Sequence, residues 1–107
     1  MPTKQKRNSQ IQADSIEQLQ KLGFNGSEAT IYVTLLRNGP LTGYELARAS
    51  GVARPNVYGV LQKLEERGAV SRLDERPGTR YAPLPFAELL ARMRQRYELA
   101  LADAEQS

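Results

Sequence analysis

A chain of 107 residues, 40% hydrophobic and 25% charged, makes one small domain with a modest core. The absence of cysteine and histidine excludes the usual zinc, iron–sulfur and disulfide chemistries and Cys- or His-based catalysis, and no apolar run approaches the ~18 residues of a membrane span. The net charge of +3 is unevenly distributed: Lys4, Lys6 and Arg7 make residues 1–10 basic, and residues 48–80 carry seven basic against four acidic side chains, an arm and a patch that suit nucleic acid but also an ordinary solvated surface.

Residues 1–13 are polar, without the apolar core of a secretory signal, and read as a disordered basic arm. Asp14 or Ser15 can cap a first helix that turns Ile16, Leu19 and Leu22 inward and stops at Gly23. FNGS reads as a turn, with Ser27 capping a second helix whose apolar residues are Ala29, Ile31, Tyr32, Leu35 and Leu36; Asn38 to Pro40 ends it. Thr42 and Glu45 have capping-box spacing, so a short third helix starts there, presents Leu46, Ala47 and Ala49, and ends near Gly51.

Val52 and Ala53 make a tight turn into a fourth helix over 54–67, with Pro55 in its first turn and Gly68 after it. Val57, Val60, Leu61 and Leu64 form its inner stripe. Ala69–Leu73 and Thr79–Ala82 read as two short strands around DERPG, a hairpin carrying Arg72, Arg76 and Arg80. Pro85 opens a last helix to about Glu105. Phe86, Leu90, Met93, Tyr97, Ala100 and Ala104 recur at alternating spacings of four and three, the pattern of a dimer seam, and Leu101 belongs to the same dimerisation set.

A short helix joined by a tight turn to a polar-faced helix is a helix-turn-helix, and the hairpin supplies a wing. The expected fold class is mainly α with a small β wing: an arm over 1–13, a winged helix-turn-helix domain over 14–84, and a dimerisation helix over 85–107. Arg54 and Asn56, in the first turn of the fourth helix, suit base edges: arginine pairs with guanine, asparagine with adenine. Gly59 suits a close approach to DNA or close packing against the third helix, and a glycine there costs about 1 kcal/mol relative to alanine. Gln62 and Lys63 suit phosphate, as do the wing arginines. Tyr32 reads as core, whereas Tyr44, just after the Thr42 cap, suits either packing or a phosphate. Asp74 with Glu75, and Glu65 with Glu66, are neighbouring surface carboxylates, not a catalytic pair, so no enzyme and no cofactor is expected. The rival reading is a winged helix that docks proteins in a larger assembly; the polar and basic face of the fourth helix speaks against it.

Leu22, Gly23, Glu28, Ala29, Tyr32, Gly39, Glu45, Leu46, Ala47, Arg54, Val57, Tyr58, Leu61, Leu64, Glu65 and Gly68 follow a combined pattern that resembles the winged-helix domain of TrmB-family transcriptional regulators, over roughly residues 17–97. The resemblance implies sequence-specific binding to double-stranded DNA as a dimer, and a two-fold dimer calls for an inverted-repeat operator. It assigns Arg54, Asn56 and Tyr58 to DNA contact and the wing arginines to the backbone. The candidate DNA-binding set is Thr42, Tyr44, Arg54, Asn56, Tyr58, Gly59, Gln62, Lys63, Arg72, Arg76 and Arg80. Many family members carry a sugar-sensing C-terminal domain, which is not expected in a chain ending at Ser107. The expected location is the cytoplasm, at the nucleoid.

Overall fold

A computed structural model describes residues 14–75 and 78–107. Helix α1, over 14–21, is followed by α2 (Gly26–Asn38), strand β1 (Leu41–Thr42), α3 (Gly43–Ser50), α4 (Arg54–Glu66), β2 (Val70–Glu75), β3 (Gly78–Pro83) and α5 (Phe86–Gln106). The molecule is mostly helical with a small antiparallel sheet, as expected. The basic arm and Arg76 lie outside the described residues.

The start of α2 departs from expectation. Asn25, not Ser27, is its cap: the Asn25 side chain accepts the Glu28 backbone N–H and the Glu28 carboxylate accepts that of Asn25, both at 2.8 Å. This reciprocal pair keeps the buried Glu28 carboxylate bonded at the positive end of the helix. Leu22 is also corrected. It sits in the turn beyond α1 and is 43% exposed, while Phe24 folds inward, its N–H donating to the Leu19 carbonyl at 3.1 Å. Leu36, among the apolar residues of α2, and Ala49, among those presented by α3, are exposed.

The core gathers Leu19, Ile31, Tyr32, Leu35, Leu46, Val57, Leu61, Leu64 and Leu89 from five helices, and Phe24 from the turn after α1. Tyr32 is fully buried, and its hydroxyl donates to the Leu84 carbonyl at 2.6 Å, tying α2 to the junction between β3 and α5. Burial pushes the Tyr32 phenol up to about 12.

The sheet has three strands in the order β1-β3-β2, not the hairpin alone. Leu41 and Thr42 pair with Tyr81 and Arg80, which fastens the start of α3 to the wing. The β2–β3 register runs from Val70 opposite Pro83 to Glu75 opposite Gly78. Opposed residues share a face and neighbours alternate. Arg72 therefore lies on the face of buried Tyr81, and Arg80 lies on the other face with Leu73 and Thr42.

In α5 only Leu89 is fully buried. Met93, expected in a dimer seam, packs against this domain's own core, and Leu90 is half-buried. Phe86, Tyr97, Leu99 and Leu101 stand 40%, 67%, 61% and 46% exposed. Among the described residues no helix is long and apolar enough to cross a membrane.

Candidate nucleic-acid interface

The expected capping box at Thr42 is present: its hydroxyl accepts the Glu45 N–H at 3.1 Å, and the Glu45 carboxylate accepts the Thr42 N–H at 2.9 Å. These hydrogen bonds, with a smaller contribution from the nearby Arg80 charge, hold the Glu45 carboxyl below its ordinary range. The Thr42 side chain is thus committed to capping. Helix α3 ends at Gly51, whose φ of 79° is the left-handed value that glycine tolerates best. Val52 donates its N–H to the Ser50 hydroxyl at 3.1 Å and the chain re-enters helix at Arg54. Ala53 caps α4 without a side-chain bond, as its residue type predicts.

Helix α4 buries Val57, Leu61 and Leu64. Pro55, Gly59, Gln62 and Glu66, spaced four, three and four apart, form the opposite stripe, and all four are exposed. A Cβ added to Gly59 would meet nothing within 4 Å. Close packing of Gly59 against α3 is therefore ruled out, because the space beside it is open. Asn56 and Lys63 flank the stripe and are exposed.

Tyr44 joins the two helices. Its half-exposed ring lies under the Arg54 guanidinium at 5.2 Å and near that of Arg48 at 5.9 Å. Such cation–π contacts are worth about 0.5–1 kcal/mol at exposed sites and orient Arg54 without neutralising it. Tyr58, also half exposed, lies over Gly43: a Cβ there would come within 2.6–2.7 Å of three atoms of the tyrosine ring and hydroxyl. The structure thus brings together Thr42, Tyr44, Arg54, Tyr58 and Arg80 around the start of α3.

Gln62 and Arg72 sit elsewhere. They line a groove between α4 and the wing with Tyr58, Glu65, Glu66 and Tyr81, and Arg72 Nε lies 3.8 Å from a Glu65 carboxylate oxygen. Glu65 is thus engaged by Arg72, and the first turn of α4 carries basic Arg54 and no acidic residue. Two participants escaped sequence reasoning. Arg48 was signalled by its i, i+4 spacing from Tyr44; the need for glycine at position 43 had no local signal.

A family model described as "Sugar-specific transcriptional regulator TrmB" matches residues 19–87. The chain is 35% identical over 95 residues to the Bacillus subtilis protein YrhO, covering 89% of this chain and 34% of that one. It is 29% identical over 85 residues to TrmBL1, an HTH-type sugar sensing transcriptional regulator of Pyrococcus furiosus, covering 79% and 25%. Among solved structures, the archaeal chromatin protein TrmBL2 is similar at a TM-score of 0.81 and 30% identity, over 89% of this chain and 38% of that one. The chain thus spans well under half the length of these three relatives. A MarR family regulator, SP03579, shares the fold at a TM-score of 0.59 and 19% identity, over 95% of this chain and 70% of that one. The matched family is one of transcription regulators, and the fold is shared with the MarR family protein. With its family model matched over residues 19–87, the chain belongs to the TrmB family of winged-helix, DNA-binding transcriptional regulators.

Proposed function

We propose that the chain recognises a specific double-stranded DNA sequence, with α4 in the major groove, Arg54 and Asn56 on base edges, and the wing on phosphate. The observation that carries this reading is the outer stripe of α4. It is cleared of side chains at Gly59 and flanked at its amino-terminal end by Asn56 and by an Arg54 held on Tyr44. A helix shaped in this way can approach the groove floor closely while its first turn meets donors and acceptors. Lys63 and Arg80 supply phosphate contacts, and Arg76, by its place in the sequence between the two strands, adds another. In this reading 14–84 is the DNA-binding unit, 85–107 pairs two copies, and the protein works at the nucleoid.

Two copies related by a two-fold axis call for an inverted repeat with half-sites about one helical turn, or a multiple of it, apart. Selection from random duplexes followed by footprinting tests this. The expected result is one enriched motif with that symmetry. A pool that stays random would contradict the reading.

A further inference from the structure

On the side of the molecule formed by the turn after α1, the end of α4 and the middle of α5, a cleft of about 320 Å³ is lined by Phe24, Arg67, Leu89, Met93, Arg96 and Tyr97. Its walls are apolar, but its charge is wholly basic. The Arg67 guanidinium lies 4.1 Å from the centre of the Phe24 ring and donates through Nη2 to the Gly23 carbonyl at 2.9 Å. Its other terminal nitrogen, Nη1, is buried and has no hydrogen-bond partner, alone in this among the side chains of the described residues. A buried charged donor left unpaired is costly, and native structures rarely keep one without a partner.

Arg96 also lines the cleft, and Arg92 lies beside it over Gly68, outside the lining. A Cβ on Gly68, the residue after Arg67, would lie 3.1 Å from Arg92 Nη1 and 3.9 Å from Arg96 Nη2. Gly68 has a φ of 76°, so the left-handed turn and the missing side chain together let the arginines close over the end of α4. None of the three has an ion-pair partner among the described residues. Two guanidiniums, Arg67 and Arg96, set among aromatic and aliphatic walls with no carboxylate in the lining, match one chemistry: an anionic head that guanidinium binds in a fork, carried on an apolar body that fills the cleft.

We propose that this cleft binds a small carboxylate with an apolar, aromatic-sized body, its carboxylate on Arg67 and Arg96 and its body against Phe24, Leu89, Met93 and Tyr97. The site is separate from the α3–α4 face, and its occupancy does not depend on how that face meets DNA. The Met93 methyl group lines the cleft and reports directly on it, since the only other methionine is Met1.

The test is a titration of the full chain, labelled at its methionine methyls, with 3-phenylpropionate, followed by NMR at the Met93 resonance. The expected result is a saturable shift. Acetate, inorganic phosphate and the neutral 3-phenylpropanamide should each bind at least about tenfold more weakly, because each lacks the body or the charge. Arg96→Gln should weaken 3-phenylpropionate by about tenfold, and Arg67→Gln by at least as much, with thermal melts confirming that each variant is folded; Arg94→Gln should leave binding unchanged. Arg96 lies on an exposed helix face, so its variant keeps the test valid if loss of Arg67 unfolds the chain. No saturable shift at Met93, equal binding of the amide, or equal binding by Arg96→Gln would each overturn the proposal. Equal binding of acetate or phosphate would overturn the assignment of an apolar ligand.

Discussion

Tyr58 on α4 covers Gly43 at the start of α3 so closely that any other residue at 43 collides with its ring and hydroxyl. The contact fixes how the two helices of the helix-turn-helix meet. Gly43 has no positive φ, so alanine suits its backbone and is favoured in a helix by up to about 1 kcal/mol. The only obstacle is the tyrosine, whose colliding atoms are at the free end of its side chain. Gly43→Ala should therefore push the Tyr58 ring outward and lower DNA affinity while costing less than about 1 kcal/mol of stability. In a Tyr58→Ala background the same substitution should be neutral or stabilising. Denaturant unfolding of the four proteins of this cycle measures the coupling; equal effects of Gly43→Ala in both backgrounds would show that the contact has no energetic weight.

The wing arginines divide by face. Arg72 has Glu65 beside it at 3.8 Å, whereas Arg80 lies on the opposite face, beside Thr42. Arg80→Ala should weaken all duplexes alike and flatten the slope of log affinity against log salt by about 0.9. Arg72→Ala should leave that slope nearly unchanged, because its charge is already partly compensated. Salt titrations of both variants decide the matter, and equal flattening by both contradicts the assignment.

Tyr32→Phe removes the donor to the Leu84 carbonyl and should cost about 1–3 kcal/mol at neutral pH. The phenol is pushed up to about 12 in the folded chain, against about 10 in an unfolded one. The raised value favours the folded state fully below pH 10, and this stabilisation is lost as the pH climbs toward 12. The stability gap between the natural chain and Tyr32→Phe should narrow by about 2–3 kcal/mol over that interval. Urea unfolding at pH 8 and above pH 11 checks it; a constant gap means that Tyr32 titrates normally.

Helix α5 spans about 30 Å at 1.5 Å per residue, and Tyr97, Leu99 and Leu101 are more exposed than an isolated helix of a soluble domain requires. Each Å² of apolar surface covered gains about 25 cal/mol. The chain should sediment as a dimer, and Phe86→Glu combined with Leu101→Glu should yield a folded monomer, since both side chains are exposed and neither lines the cleft. A natural chain that remains monomeric at concentrations well above its DNA affinity contradicts the dimer.

Where the sequence was explicit, local physics decided. The Thr42–Glu45 spacing specifies its own capping box, and the stripe of Val57, Leu61 and Leu64 specifies the buried face of α4. The Asn25–Glu28 box carried the same signal, but Ser27 competed with it, although Thr30, three residues beyond Ser27, could not return the bond. Phe24 was hidden inside a run of turn residues, because a turn motif does not reveal which way its aromatic points. Strand β1 has two residues and no periodicity; it exists through its pairing with β3, a tertiary event. The Tyr58–Gly43 contact and the arginine cluster over Gly68 are likewise products of assembly, joining segments whose individual patterns carry no trace of each other.

The central claim, that the first turn of α4 reads bases, is tested most directly by the affinities of the natural chain, Arg54→Ala and Asn56→Ala on a selected duplex and on a scrambled one at fixed salt. A good bidentate base contact carries about 1–3 kcal/mol of discrimination. Each substitution should therefore shrink the ratio of the two affinities by roughly 5- to 150-fold while changing the scrambled affinity far less. Equal loss on both duplexes, with the ratio intact, would make Arg54 and Asn56 backbone contacts and contradict the account.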